Sequence, residues 1–255
     1  LLSGSFTRNG CTFNHNYGEL TFLSNQDITF TPSSTTFFDL TFSKRHGEDS
    51  ELDFSNSFTT QGDLTIQNLT GSDLTIIASS TPTITVHEDL RFPVQSASGL
   101  TIFGSGAAAQ NFTVILNSGS LIQSDSGSTL YANLTFTGAT HTLNQTDGTI
   151  ASGTWLFDTA GATVSLASTL SGSHVTTVSG SLFDLAGFAF TGASLTIQTG
   201  STLQLEGDEI DQTPITIDSI STVLYDGSST YNNLSAGDNY HHLTFNGPGT
   251  WTLYA

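Results

Sequence analysis

The chain has 255 residues, with 22 acidic against 4 basic side chains and a formal charge of -18. Such a charge repels phosphate backbones and anionic lipid headgroups, which excludes nucleic acid and membrane surfaces as partners. Only 10% of the residues are charged, so Thr, Ser, Asn and Gly must meet the solvent, as they do on secreted β-rich proteins. No apolar run is long enough to span a bilayer, and no basic segment followed by an apolar one opens the chain. Met is absent and the chain begins Leu1-Leu2. The expectation is therefore a processed product or a piece of something longer, placed outside the cell or on its surface, with no membrane insertion.

Taken in order, the predicted elements are short strands. Glu19-Leu20-Thr21-Phe22, Asp27-Ile28-Thr29-Phe30, Leu40-Thr41-Phe42, Leu52-Asp53-Phe54, Leu64-Thr65-Ile66 and Leu74-Thr75-Ile76 come first. Ile84-Thr85-Val86, Leu90-Arg91-Phe92, Leu100-Thr101-Ile102, Phe112-Thr113-Val114 and Leu134-Thr135-Phe136 follow. Thr163-Val164, Val175-Thr176, Leu195-Thr196-Ile197, Leu203-Gln204-Leu205, Ile215-Thr216-Ile217, Thr222-Val223-Leu224 and Leu243-Thr244-Phe245 complete the series. Each is three to five residues long, and turn-forming Gly, Ser, Asn and Asp separate them. Helical periodicity is absent, and Ala107-Ala108-Ala109-Gln110 is good for one turn at most.

Strands returning about every ten residues fit a sandwich or a solenoid. The apolar-Thr-apolar unit is nearly constant, which favours the solenoid, because every coil then offers the same environment. Longer copies agree: Tyr131 to Leu143 and Tyr240 to Leu253 share an aromatic, two variable residues and Leu-Thr-Phe. The predicted fold is all-β, a right-handed parallel β-helix of residues 1–255 in a single unit, with about 20–25 residues per coil. Leu64, Ile66, Leu195, Ile197, Leu243 and Phe245 should point inward, and Thr65, Thr196 and Thr244 outward.

Asn9-Gly10-Cys11-Thr12-Phe13-Asn14-His15-Asn16-Tyr17-Gly18-Glu19-Leu20-Thr21-Phe22, followed by Thr36-Phe37-Phe38-Asp39-Leu40-Thr41-Phe42, resembles a repeat of very large bacterial surface proteins. Phe13 to Asn16 also resembles the Phe-x-x-Asn element of chlamydial polymorphic outer-membrane proteins, although their Gly-Gly-Ala-Ile element is missing. Tyr131 to Leu143 and Tyr231 to Leu253 resemble the same surface repeat. The resemblance implies a β-helical passenger, adhesin or fibre. It carries no catalytic residues over.

Two acidic clusters invite chemistry: Glu48, Asp49, Glu51, Asp53, and Glu206, Asp208, Glu209, Asp211. Carboxylates in pairs suit a polysaccharide hydrolase or lyase, and several oxygens together suit calcium. Solvated loops between coils are the favoured account of them, so no catalytic residue is assigned, and Glu206, Asp208, Glu209 and Asp211 stand as calcium candidates. Arg8, Lys44, Arg45 and Arg91 are the whole basic inventory, and only Lys44 and Arg45 lie near a cluster. His241 and His242 are adjacent on a predicted strand, where they would face opposite sides and could not share an ion. Cys11 reads as a buried strand residue, and the five Asn-x-Thr/Ser sequons as by-products of composition.

The functional expectation is a non-enzymatic extracellular structural or adhesive solenoid. A polysaccharide-binding or polysaccharide-degrading β-helix is the first alternative. An ice-binding solenoid is the second, held back because the repeat unit supplies one outward Thr where such proteins use Thr-x-Thr. The ends of a β-helix expose unpaired backbone and apolar side chains. Leu1, Leu2, Trp251 and Leu253 are therefore expected to mediate head-to-tail association with further coils or other copies, and surface glycans remain a possible partner.

Overall fold

The computed structural model describes residues 2–8, 13–23, 25–95, 99–104, 112–210, 213–234 and 240–253, with backbone alone at 2, 3, 233 and 253. Cys11 and Ala107-Gln110 lie outside the described residues. Every strand pairing among the described residues is parallel, and neighbouring strands are a full coil apart in sequence. The protein is a β-solenoid with three sheet faces, and no described residue is helical.

Face A is a ladder of twelve strands from Leu2–Ser3 to His242–Phe245, which makes about eleven turns. Its register runs leucine on leucine: Leu20, Leu40, Leu64, Leu90, Leu121, Leu143 and Leu166 stand over one another. The steps between them are 20, 24, 26, 31, 22 and 23 residues. Later steps, Phe183 to Leu203 to Val223 to Leu243, settle at 20. Face B carries strands such as Ile28–Thr31, Ser50–Phe54 and Leu74–Ile77. Face C runs from Thr36–Phe37 through Thr83–Val86 and Asn133–Phe136 to Ile215–Ile217.

Thr149–Phe157 departs from the expected strand length, with nine residues. It starts on face B under Ser128–Tyr131 and ends on face C under Asn133–Phe136, bending at Ser152-Gly153. Gly153 has φ of 148° there, and a Cβ would sit 2.0 Å from the Ala132 carbonyl oxygen. Only glycine fits that bend.

The apolar residues of the repeat fill the interior. Leu64, Ile66, Leu195 and Ile197 are fully buried, while Thr65 and Thr196 lie half-exposed in outward columns. A fully buried Leu or Phe is worth ~1.5–3 kcal/mol, and here the stack repeats that gain at every coil. Leu243 and Phe245 continue the inward columns above Val223 and Tyr225. Leu243 is half-buried, and Phe245 is 42% exposed because no described coil covers it.

Corners between faces A and B are closed by long polar side chains turned inward. Lys44, Asn68, Gln123 and Gln145 all stand at the end of a face A strand and are buried. Asn68 Nδ2 donates to the carbonyls of Ser72 (2.8 Å) and Leu100 (3.0 Å). Gln123 Nε2 donates to Ser128 Oγ (3.0 Å) and the Thr149 carbonyl (3.2 Å). Gln145 accepts from Ser171 N (2.9 Å) and donates to the Gly148 carbonyl (3.2 Å). A turn cannot satisfy all its own backbone groups, and buried carbonyls without donors cost free energy. These side chains supply the donors.

Candidate functional site

Two of the four carboxylates of the first acidic cluster, with neighbouring Asp27, are committed to the backbone of the next coil. Asp49 Oδ1 accepts from Asp73 N (2.9 Å), Asp53 Oδ1 from Ser79 N (2.8 Å), and Asp27 Oδ1 from Glu51 N (2.8 Å). A second column does the same on face A, where Asp39 accepts from Asp63 N, Asp63 from Asp89 N, and Asp89 from Ser120 N, at 2.8–3.0 Å. Arg91 binds this column through Asp63 (Nε to Oδ2, 2.7 Å) and through Asp89. Lys44 is buried, and its ammonium donates to the Glu48 carbonyl and to Ser50 Oγ (3.1 Å). Desolvation lowers its pKa, against the pull of Asp49, Asp73, Asp27 and Glu48. It serves as a turn clasp.

The calcium candidates divide. Glu209 is buried, and its carboxylate accepts from Glu206 N and from Gly207 N (2.7 Å), closing a tight turn on itself. Burial raises its pKa, with the backbone donors of Gly207, Glu206 and Glu209 itself working the other way. Glu206 and Asp208 are exposed, and Glu206 Oε2 accepts from the Tyr231 hydroxyl at 3.3 Å. Asp211 lies outside the described residues. Among the described residues no three His, Cys, Asp or Glu side chains converge to hold a metal ion.

At the end of the stack the aromatic residues gather. Trp251 is half-buried, lies parallel to Tyr231 (6.3 Å between centroids) and meets Phe245 at 5.1 Å. Its indole N–H donates to the Glu206 carbonyl at 2.9 Å. Leu2 and Leu253 pair by backbone with Phe22 and Leu234, and Leu1 lies outside the described residues. His241 and His242 correct the sequence reading. The strand begins at His242, so His241 sits in the preceding bend and alternation does not separate the pair. Their rings meet edge-on at 4.7 Å, both exposed.

Two further features had no sequence signal. A cleft of about 420 Å³ opens beside Arg8, Phe13, His15, Ser34 and Thr35. Next to it Asn16, Tyr17, Ser33 and Ser34 all take positive φ, and Tyr17 is 79% exposed against Phe38 and His15. In the interior, His174 is fully buried, stacked on Trp155 at 4.4 Å and edge-on to Phe190 at 5.6 Å. Desolvation lowers its pKa to about 4, and among the described residues no group hydrogen-bonds either ring nitrogen. Gly153 beneath it and Gly192 beside it leave room for the ring.

The arrangement defines a parallel β-solenoid whose polar side chains mostly serve its own backbone. No family model, no curated protein and no solved structure matches the chain. No described helix is long and apolar enough to cross a membrane.

Proposed function

We propose that the chain is a non-enzymatic structural rod of a cell-surface fibre or adhesin, joined head to tail to further solenoid coils. The observation that carries this reading is face A, whose twelve strands hold one parallel ladder without a register shift. At ~4.8 Å per coil the eleven turns make a rod about 53 Å long. Asp49, Asp53 and Glu209, which would otherwise suggest chemistry, are hydrogen-bonded to backbone N–H groups, which supports a scaffold rather than a catalyst. The inward columns reach the last described coil with Phe245 still open, and an uncovered parallel edge pairs with any strand of matching register. A contact of that kind does not close on itself and builds a filament. The resemblance of Tyr131 to Leu143 and Tyr231 to Leu253 to repeats of bacterial surface proteins points the same way.

Sedimentation velocity and negative-stain microscopy over a range of protein concentrations test it. Rods in multiples of the unit length are expected, reverting to single units in Phe245→Lys. Particles of one length at every concentration, indifferent to that substitution, overturn head-to-tail association.

A further inference from the structure

We propose that face C is an ice-adsorbing surface, a role that does not depend on end-to-end stacking. The face differs from the other two in charge. Its nine strands, from Thr36–Phe37 to Ile215–Ile217, contain no Asp, Glu, Lys or Arg. Face A strands carry Glu19, Asp39, Lys44, Arg91 and Asp184, and face B strands carry Glu51 and Asp53. In a chain of charge -18, nine adjacent strands without an ion form a distinct surface.

Its outward side chains stand in two ranks. The first runs from Thr36 to Thr216 in unbroken register and is threonine at every coil except Ile115 and Leu156. The second, two residues earlier on the six strands from Thr83–Val86 to Ser194–Ile197, reads Thr83, Thr113, Asn133, Thr154, Val175, Ser194. All are half-exposed or exposed. The repeat unit read from sequence shows one outward Thr. On face C threonine stands in both ranks only at Thr83 and Thr85; elsewhere its partner is Ile115, Asn133, Leu156, Val175 or Ser194, so the first rank, threonine at seven of nine coils, carries the array.

Strand geometry sets the spacing of this array: ~4.8 Å between coils and ~6.6–6.8 Å between the ranks, over roughly 38 Å of length. Both repeats are close to those of oxygen atoms on a prism face of hexagonal ice. Hydroxyls at that spacing can hydrogen-bond lattice water, and the methyls beside them fill the gaps between. A charged group would instead hold a hydration shell of its own, and the face has none. A protein partner is the poorer occupant. The two ranks cover at most about 500 Å², below the ~800 Å² per partner of a stable interface, and no outward aromatic or Arg is there to anchor one. The same lack of aromatic platforms disfavours the faces of crystalline polysaccharides.

Ice-recrystallisation inhibition and the shape of single ice crystals near the melting point test the proposal on the intact chain. The wild type should facet ice crystals and hold grain size at micromolar concentration. Thr85→Lys with Thr135→Lys on face C should raise the concentration required at least tenfold, while Thr21→Lys with Thr65→Lys on face A leaves it unchanged. Far-UV circular dichroism and melting curves establish that all variants are folded. Round crystals with the wild type, or equal effects of the two lysine pairs, overturn the proposal. So does pelleting with chitin or cellulose, or dimerisation in the cold, that face C lysines abolish while ice is unaffected.

Discussion

The front and rear of the solenoid share one backbone plan but fill it differently. From Phe6 to Phe112 the interior is a continuous web of phenyl rings: Phe54 alone meets Phe30, Phe42, Phe58, Phe103 and Phe112 at 5.1–6.4 Å. Behind it the web thins to Phe136, Phe157, Phe183 and Phe190, with Trp155 and His174 set among them, and Val164, Leu203 and Val223 fill the rest. Edge-to-face rings add ~0.5–1.5 kcal/mol per pair beyond their buried area. An imidazole in the same kind of column contributes area but has nowhere to place its polar atoms. A solenoid core therefore needs only volume and apolarity at each coil, and the choice of side chain decides how firmly neighbouring coils are held.

The largest expected effect lies in front. Phe54→Ala should cost about 3–5 kcal/mol, since the site is enclosed by five rings and cannot collapse; Leu203→Ala in the rear should cost less, about 2–3 kcal/mol. Urea titrations of both variants compare them directly, and equal losses would erase the distinction between the two halves.

Acid should separate the halves next. His174 titrates near 6.5 in the unfolded chain and near 4 in the fold. Between those values the unfolded chain takes up a proton and the folded one does not, so stability is full above pH 6.5 and falls on acidification. The loss amounts to about 3 kcal/mol by pH 4 and then levels off. Buried His141 adds to the loss. Asp125, Asp184 and Glu209, whose pKa values burial raises, oppose it, because the fold holds their protons more tightly than the unfolded chain. The difference between wild type and His174→Leu, measured by urea titration from pH 7 to pH 4, isolates the His174 contribution. A constant difference across that range would refute it.

A corner substitution should matter less. Asn68→Ala strips donors from the carbonyls of Ser72 and Leu100 and should cost about 1–3 kcal/mol. Hydrogen exchange should show the loss concentrated in the strands around Leu64–Asn68 and Leu74–Ile77 rather than in the rear coils.

The smallest effect is a gain. Gly161, Gly180 and Gly200 each stand two residues before a face A strand with φ between 65° and 81°, and Ile220 holds the equivalent place with φ of 62°. A β-branched residue is strained there by roughly 1–2 kcal/mol, partly offset by the freedom glycine recovers on unfolding. Ile220→Gly should raise stability by about 0.5–1 kcal/mol, read as a higher midpoint in thermal unfolding.

The parallel solenoid was legible in the sequence because its cause is local and repeated. Leu-Thr-Phe and Leu-Thr-Ile state the inward and outward positions of most strands, and recurrence at coil intervals stacks them; Leu100-Thr101-Ile102 and Val175-Thr176 are reversed, with Thr101 and Thr176 buried and Leu100 and Val175 exposed. The column of threonines on face C was not legible, since it depends on which residues from separate coils come into register. Nor were the roles of the acidic residues. Asp49, Asp63 and Glu209 look alike in sequence, yet the first two bond the backbone of the next coil and the third folds back on its own turn. The inward turn of Asn68 and Gln123, and the seat of His174 between Gly153 and Gly192, were equally hidden. Periodicity determined which side of a strand each residue faces; only stacking decided what it meets there, because that neighbour comes from a coil twenty or more residues away.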